Sequence, residues 1–275
     1  MIKLMYITNN PQVASVAENN GVDRIFIDME FIGKSDRQGG KDTVQNHHTV
    51  SDIENVKKVL KTSHIMCRVN PIHEKTDDYY SSKEEINLAI DAGADILMLP
   101  YFKSVEEVET FIDMVNGRAK TMPLVETPQS VAVIDDILKL KGLDEIFIGL
   151  NDLSLGFGMK FMFELLSDGI VENLCNKFKE KNIPYGFGGI AGLGQGMLPS
   201  EHVIKEHYRL GSTCAILSRS FCNWEKIKDL NKIEEIFRNG IKEIRDLETE
   251  CQKHLDYFSS NQKEVHKKVS QICGV

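Results

Sequence analysis

The chain has 275 residues, of which 41% are hydrophobic and 27% are charged, a composition typical of globular proteins. This length fits one large domain or two smaller ones. The net charge of −8 argues against nucleic acid as a partner, because nucleic acids select basic surfaces, but a few local arginines could still bind a small anionic substrate.

Signals for secretion, membrane insertion and disulfide formation are missing from the sequence. The first ten residues, MIKLMYITNN, contain too short an apolar run for a signal peptide. No window approaches the roughly 18 apolar residues of a membrane span. The six cysteines lack CxxC spacing, which favours reduced thiols over disulfides or a zinc site. We therefore expect a cytoplasmic protein with no membrane partner.

Short apolar runs recur along the chain with helical patterns between them. The runs are KLMYI (3–7), RIFIDM (24–29), HIMCRVN (64–70), DILMLP (95–100), TMPLVE (121–126), EIFIGL (145–150), IPYGFG (183–188) and TCAILS (213–218). Amphipathic stretches at 86–93, 105–115 and 130–142 have the period of a helix. Glycines at 21, 93, 142 and 211 fall where such helices should end, just before the next strand.

Eight strand–helix units predict an α/β protein of the (β/α)8 barrel type. A doubly wound sheet is the competing interpretation, but eight units in a chain of this length favour closure. We assign residues 1–222 to the barrel. The charged, helical segment 223–275 exceeds what one barrel helix needs, and we expect it to pack on the barrel or on a neighbouring subunit.

Polar residues cluster at the predicted carboxyl ends of the strands, where barrel enzymes place their chemistry. They are Asp28 and Glu30 after strand 2, Arg68 and Asn70 after strand 3, Glu126 after strand 5, Asn151 and Asp152 after strand 6, and Arg219 after strand 8. The other ends of the strands are expected to lack charged residues apart from solvated helix caps. Any one of these residues alone could be a rim residue or a helix cap.

Two carboxylates from adjacent strands suggest a metal site. Glu126 and Asp152 are expected at the same level, and Asp152 has no lysine or arginine beside it in sequence. Carboxylates held close together either share a proton or bind a cation. Oxygen ligands with room for water suit Mg²⁺ or Mn²⁺.

The order of several motifs resembles the HpcH/HpaI aldolase and citrate lyase β-subunit family. The motifs are DME (28–30), RVN (68–70), GADILMLP (93–100), LVETPQSV (124–131) and DEIFIGLNDLSLGFG (144–158), and the resemblance covers roughly residues 1–222. It implies a barrel of the phosphoenolpyruvate/pyruvate-binding type with Glu126 and Asp152 as the metal ligands. It also implies that Arg68 contacts the oxygens of pyruvate or its enolate rather than a structural carboxylate. We expect Asp28, Pro100 and Asn151 to line the substrate site as well.

The sequence departs from the aldolase pattern at the catalytic base. Phe31 stands where the aldolase branch has a histidine, and Leu124 stands where it has a glutamine. The polar segment 32–50 contains His47 and His48, either of which could replace the base and would make activity rise through about pH 6 to 7. Glu30 is the second choice. The alternative is that 32–50 is only a solvated loop ending at the helix cap Thr49 or Ser51.

A glycine-rich segment at 186–196 is expected to form the loop after strand 7. Loops after strands 7 and 8 often bind phosphate in this fold. Gly188, Gly189 and Arg219 could therefore hold a phosphate or a second carboxylate. The alternative is a set of tight turns that reverses the chain.

These observations predict a metal-dependent (class II) aldolase or lyase. It would cleave or form a carbon–carbon bond through a pyruvate-like enolate, on a small 2-oxo acid with or without a phosphate, or on a CoA thioester. A phosphoenolpyruvate-type mutase, hydrolase or transferase on the same site is one alternative, and a non-catalytic ligand-binding barrel is another. We expect a homo-oligomer, a trimer or a hexamer.

Overall fold

A computed structural model describes residues 1–34 and 46–274. Eight parallel strands form a closed barrel in the order β1 to β8. The strands are β1 Lys3–Ile7, β2 Arg24–Asp28, β3 His64–Arg68, β4 Ile96–Leu99, β5 Lys120–Val125, β6 Ile146–Ile148, β7 Tyr185–Ile190 and β8 Cys214–Leu217. The predicted α/β barrel is confirmed.

Helices follow the strands on the outside of the barrel. They are α1 Pro11–Asn19, α2 Val50–Lys57, α3 Ser82–Asp91, α4 Val105–Val115, α5 Pro128–Ala132, α6 Ile134–Ile137, α7 Leu150–Gly156, α8 Glu164–Ser167, α9 Ile170–Glu180 and α10 Ser200–Leu210. Two longer helices complete the chain, α11 Leu230–Lys253 and α12 Phe258–Cys273. None of the helices in the described residues is both long enough and apolar enough to cross a bilayer.

Local sequence signals explain where the helices begin and end. Ser81 and Ser104 form capping boxes with Glu84 and Glu107, which satisfy backbone N–H groups of the first helical turns. Thr49 caps α2 in the same way, with Asp52 as its partner. The four glycines predicted to end helices, at 21, 93, 142 and 211, all adopt positive φ.

Two apolar layers stabilise the barrel. The larger lies between the strands and the surrounding helices. The smaller fills the bore with the alternate strand residues Met5, Phe26, Met66, Ile96, Met98, Met122, Leu124, Phe147 and Cys214. Because side chains alternate along a strand, a residue two positions beyond a bore residue also points inward. Asp28 follows Phe26 and Arg68 follows Met66 in this register, so both side chains are directed into the mouth of the barrel.

The C-terminal helices pack on the barrel of the same chain. Helix α11 lies against α1 and α10, and α12 lies against α8 and α10. Hydrogen bonds from Asn261 to Glu206 (2.8 Å) and between His202 and Asn261 (2.8 Å) join α12 to α10. The six cysteines are all buried and free of disulfides, as expected.

Three predicted boundaries are wrong. The helix expected over 130–142 is divided into the two short helices α5 and α6. Strand 6 ends at Ile148, so Asp152 lies in the first turn of α7 rather than at a strand end. Strand β7 runs to Ile190, which places Gly188 and Gly189 inside a strand and not in the loop after it.

The amino end of the barrel is also charged, contrary to expectation. Arg24, the first residue of β2, donates two hydrogen bonds to Glu145, from Nη1 to Oε2 at 2.9 Å and from Nη2 to Oε1 at 2.7 Å. Both side chains are buried. Lys120 lies 3.7 Å from the same carboxylate. This pair lies at the end of the bore opposite the predicted site.

Candidate active site

Asp28 and Arg68 form the centre of the polar cluster at the carboxyl end of the barrel. They are register partners at the ends of β2 and β3. Arg68 donates from Nε to Oδ1 and from Nη2 to Oδ2 of Asp28, both at 2.8 Å. The guanidinium also lies 5.6 Å from the ring centroid of Phe26 in the bore. Arg68 is thus held in one orientation by a planar, two-point contact.

The sequence predicted that Arg68 would bind substrate and not a protein carboxylate. The contact with Asp28 corrects the second part of that expectation. The hydrogen bonds to Asp28 use two of the five N–H donors of the guanidinium, so the group can serve both a carboxylate and a ligand. Burial raises the pKa of Asp28, but the charges of Arg68 and Lys34 outweigh it and hold that pKa well below its usual range. Asp28 is therefore a permanent counter-ion that positions Arg68.

Lys34 and Asn46 complete this cluster, and the sequence did not single them out. Lys34 Nζ lies 3.0 Å from Asp28 Oδ2 and 3.5 Å from Glu30 Oε2. Asn46 Nδ2 donates to Asp28 Oδ2 at 2.9 Å. Both residues come from a polar segment with no periodic pattern, so nothing in the sequence marked them as partners of a buried carboxylate.

Glu30 is buried against the same cations. Its Oε2 lies 3.3 Å from Arg68 Nε, and it does not line the cavities described below. In this position Glu30 is a counter-ion of Arg68 and Lys34. It does not reach a substrate in these cavities, so its position does not support the expected role as a base.

Glu126 follows β5 directly and is buried. The backbone N–H of Tyr101 donates to its Oε1 at 2.8 Å, and Tyr101 adopts a positive φ of 51° to do so. Such strained backbone is concentrated at functional sites. Burial first, and then the charges of Glu30 and Asp152, raise the pKa of Glu126 to about 8.

Gly149 makes room for this carboxylate. A Cβ at position 149 would lie 2.9 Å from Cβ and 3.0 Å from Oε2 of Glu126, closer than real Cβ contacts allow. Gly149 is also the residue before α7, the helix that carries Asp152 in its first turn. Asn151 Nδ2 donates to Asp152 Oδ1 at 2.9 Å. The turn after β6 therefore brings Asp152 towards Glu126.

Within the described residues, three adjoining cavities open at this end of the barrel. The central one, about 200 Å³, is lined by six of the predicted site residues: Arg68, Glu126, Asn151, Asp152, Gly188 and Gly189. A second cavity of about 290 Å³ shares Glu126 and Asp152 with it and extends over Tyr101 and Pro128. A third cavity of about 430 Å³ shares Arg68 and Asn151 and extends towards β1 and β8.

The third cavity contains His48 but not His47. Its polar lining includes Asp28, Lys34, Asn46, His48, Ser218, Arg219, Asn223 and Glu225. The backbone N–H of Asp28 donates to His48 Nδ1 at 3.0 Å. His47 is exposed and does not line any of the three cavities, so its expected catalytic role is not supported by its position.

The residues of the predicted phosphate corner line two adjoining cavities. Gly188 and Gly189 line the central cavity, and Arg219 is an exposed residue at the edge of the third.

Pro100 is buried directly after β4 and lines none of the three cavities. The prediction of a solvated loop also concerned residues 35–45, which lie outside the described residues.

The central cavity offers carboxylate oxygens, the kind of ligand that a hard divalent cation prefers, but only a few protein side chains supply them. Within the described residues, no group of three or more His, Cys, Asp or Glu side chains is arranged to hold a metal ion. Glu126 and Asp152 supply carboxylate oxygens to a shared cavity. Burial raises the pKa of Glu126 most, and repulsion by Glu30 and Asp152 raises it further. A cation would remove that repulsion, and Mg²⁺ commonly uses one or two carboxylates with water and substrate oxygens. The residues therefore fit Mg²⁺ or Mn²⁺.

The sequence profile of the HpcH/HpaI aldolase/citrate lyase family matches residues 3–162, which is more than half of the chain. The chain belongs to the HpcH/HpaI aldolase/citrate lyase family. Membership supports an enzyme with a lyase- or aldolase-type function. A search of curated proteins found no match.

Solved structures share the fold at low sequence identity. The HpcH/HpaI aldolase from Desulfitobacterium hafniense DCB-2 has a TM-score of 0.59 and 14% identity, covering 85% of this chain and 93% of that one. An HpcH/HpaI aldolase/citrate lyase family protein from Burkholderia cenocepacia J2315 has a TM-score of 0.62 and 14% identity, covering 84% and 94%. The citrate synthase SbnG has a TM-score of 0.60 and 16% identity, covering 85% and 93%. At these identities the likeness concerns the fold alone.

Proposed function

We propose that this protein is a divalent-metal-dependent aldolase or lyase that cleaves or forms a carbon–carbon bond through a pyruvate-like enolate. Its substrate would be a small 2-oxo acid, with or without a phosphate group, or a CoA thioester. The observation that carries the proposal is that Arg68, Glu126 and Asp152 line one small cavity at the carboxyl ends of the strands. Family membership and the two-carboxylate donor set support it.

The metal would be held by Glu126 and Asp152, with water and substrate oxygens completing its coordination. When bound, a divalent cation supplies Lewis-acid stabilisation of negative charge on the 2-oxo and carboxylate oxygens. The cavity of about 200 Å³ in which these side chains lie is large enough for a three-carbon oxo acid.

Arg68 supplies the fixed positive charge of the site. A guanidinium is always protonated, and its remaining N–H donors can bind the oxygens on which the enolate charge develops. The two bonds to Asp28 prevent the side chain from rotating away, so the donors need little reorganisation when charge forms. Asp28 acts through Arg68 and is a positioning residue.

Phe31 occupies the position where the aldolase branch has a histidine. Its ring is half-exposed and packs edge-on against Tyr79, with ring centroids 4.8 Å apart. The phenyl ring of Phe31 cannot accept a proton. The alternatives of a mutase, hydrolase or transferase, or of a ligand-binding barrel, therefore stay open to test. The expected trimer or hexamer and the cytoplasmic location also remain predictions.

The test is release of pyruvate from a panel of 4-hydroxy-2-oxo acids, with Mg²⁺, with Mn²⁺ and after chelation. The reverse reaction, addition of pyruvate to aldehydes, is measured in parallel. Exchange of the pyruvate methyl protons in D₂O reports enolate formation without any second substrate. Metal-dependent exchange together with cleavage would support the proposal. If both exchange and cleavage continue after chelation, the proposed metal dependence is wrong. If the metal-loaded enzyme shows neither exchange nor cleavage, the proposed aldolase function is wrong.

A further inference from the structure

His48 is fixed to the end of β2 by two hydrogen bonds. The backbone N–H of Asp28 donates to the ring nitrogen Nδ1 at 3.0 Å, and the backbone N–H of His48 donates to the carbonyl oxygen of Asp28 at 3.4 Å. A backbone amide can only donate, so Nδ1 must be the unprotonated nitrogen. In a neutral imidazole the proton then resides on Nε2. The fold thus selects one tautomer.

The imidazole lines the cavity of about 430 Å³ that adjoins the central cavity. The two cavities share Arg68 and Asn151 along their common edge. The cavity of about 290 Å³ also adjoins the central one, through Glu126 and Asp152. A ligand whose 2-oxo acid end lies between Arg68 and Glu126, and whose other half extends past Arg68, would enter the larger cavity, which His48 lines.

We propose that His48 is a further catalytic residue that donates a hydrogen bond from Nε2–H to the reacting oxygen of the second half of the substrate. This inference rests on the proposed aldolase function. The oxygen is the aldehyde carbonyl oxygen in the direction of addition and the hydroxyl oxygen in the direction of cleavage.

The reaction step balances without a proton leaving His48. In addition, the enolate carbon forms a bond to the aldehyde carbon, and the carbonyl π electrons move to the aldehyde oxygen. Nε2–H stabilises the negative charge that develops there, as neutral imidazoles do elsewhere. Water supplies the proton that completes the hydroxyl, and cleavage is the reverse. A neutral imidazole is too weak an acid to give up its proton, so it acts as a donor and not as the base expected from the sequence.

The surroundings of the ring agree with a neutral imidazole. Burial lowers the pKa of His48 below its ordinary value, and the nearby charges do not cancel that effect. The charged groups around it are the acids Asp28, Asp52 and Glu225 and the base Lys34. Any change in activity that follows protonation of this ring should therefore lie at a lower pH than an ordinary histidine would give, whereas the sequence predicted a rise through about pH 6 to 7.

Three substitutions separate a donor from a base and from a structural residue. His48→Gln places an amide N–H near the position of Nε2, whereas His48→Asn can accept from the Asp28 amide but does not reach into the cavity. His48→Phe removes both groups. His64→Gln is the matched control, since His64 is an exposed histidine at the opposite end of the barrel.

The donor role predicts a specific order of activities. His48→Asn and His48→Phe should lower kcat/KM for cleavage by about 10²–10³-fold, the usual loss of one such donor. His48→Gln should remain within about tenfold of the wild type, and His64→Gln should be unchanged. Exchange of pyruvate methyl protons should persist in all four variants, because it needs only the central cavity.

Other outcomes would overturn the inference. Equal losses in the Gln and Phe variants, with a wild-type activity limb near pH 6.5, would make His48 a base. Full activity in all three variants would show that it does not touch substrate. Exchange without any cleavage or addition would leave the enolate site standing and remove the role of His48, whereas absence of both would contradict the proposed function itself. If the variants fail to fold, two-bond ¹H–¹⁵N NMR of the wild-type protein decides the tautomer, and a proton on Nδ1 would refute the proposal.

Discussion

The two ends of the barrel bore each contain an arginine–carboxylate pair, and the difference between them separates stability from function. At the amino end, Arg24 and Glu145 make two hydrogen bonds of 2.9 and 2.7 Å. At the carboxyl end, Arg68 and Asp28 make two of 2.8 Å. The geometry of the paired groups is nearly the same, so geometry alone does not assign a role.

The surroundings of the two pairs differ. At the amino end Arg24 and Glu145 are both buried, with Lys120 Nζ 3.7 Å from the carboxylate. Arg24 and Lys120 also line a cavity of about 340 Å³, whose lining includes none of the predicted site residues. At the carboxyl end, Asp28 and Glu30 contact the largely buried cations Arg68 and Lys34. Glu126 and Asp152 line cavities beside them, one of which Lys103 also lines. Six of the predicted site residues line the central cavity at the carboxyl end, and burial and neighbouring acids raise the pKa of Glu126 there. We therefore infer that the Arg24–Glu145 pair is structural and that the carboxyl-end cluster is the candidate binding site.

The largest effect is expected from removing one of the two proposed metal ligands at the carboxyl end. Glu126→Gln and Asp152→Asn should each lower metal-dependent turnover by about 10³-fold or more, because a bound metal contributes several kcal/mol of charge stabilisation. Mn²⁺ binding measured by calorimetry should weaken in parallel while the fold is retained. Glu145→Gln is the control at the other end and should bind Mn²⁺ normally. Unchanged Mn²⁺ binding in both site variants would place the metal elsewhere.

Arginine-to-lysine substitutions compare the two ends directly. Arg68→Lys keeps the charge but loses the planar fork, so turnover should fall by about 10²–10³-fold. Arg24→Lys makes the same chemical change in the Arg24–Glu145 pair. It should lower the free energy of unfolding with little effect on turnover of the folded enzyme. The measurements are steady-state kinetics and urea unfolding on both variants. Near-normal turnover of Arg68→Lys together with a large loss of stability would make Arg68 structural as well.

Breaking the Arg24–Glu145 pair should lower the free energy of unfolding and leave turnover unchanged. Glu145→Gln leaves the buried guanidinium of Arg24 without its carboxylate partner, and removal of one member of a buried pair typically costs about 3–5 kcal/mol. Urea unfolding measures the loss, and kcat at a temperature where the variant is folded should match the wild type. A drop in kcat without a loss of stability would mean that the amino end communicates with the site.

The barrel was predictable from the sequence because its signals are local and repeated. Each strand is an apolar run, and the helices between strands have their own period and capping residues, as at Ser104 and Gly211. Closure of the barrel brings the ends of all strands to one rim. Residues that follow different strands, such as Arg68, Glu126 and Asp152, could therefore be grouped from the order of the strands alone.

The features that sequence reasoning missed depend on contacts between distant residues. Arg24 and Glu145 are 121 positions apart, and each alone looks like a solvated residue beside a strand. The segment 186–196 was expected to be a loop because glycine-rich segments are usually loops. In this barrel β7 approaches β8 so closely that a Cβ at Gly186 would lie 2.2 Å from the carbonyl oxygen of Cys214. Glycine is needed within that strand, and the pattern could not reveal the approach of its neighbour.

The smallest effect concerns the pH dependence of stability in the metal-free protein. The pKa of Glu126 is raised in the folded state, to about 8 from an ordinary 4.5, because of burial and the neighbouring acids. Between these values the folded protein holds a proton that the unfolded chain has released. Linkage then requires the contribution of this group to stability to decrease as pH rises through that interval. The same proton must leave when a cation binds, so metal affinity should increase with pH over the same interval.

Other groups titrate in this range, so the informative quantity is the difference between wild type and Glu126→Gln. His207, for example, is buried and has a pKa lowered to about 3 by burial, which makes stability rise with pH below neutrality. This contribution is the same in both proteins and cancels in the difference. Thermal unfolding in chelator from pH 5 to pH 8 should show the variant gaining stability relative to the wild type as pH increases. If the difference in Tm stays constant across the range, Glu126 keeps one protonation state throughout, and its surroundings do not set it apart from an ordinary buried carboxyl group.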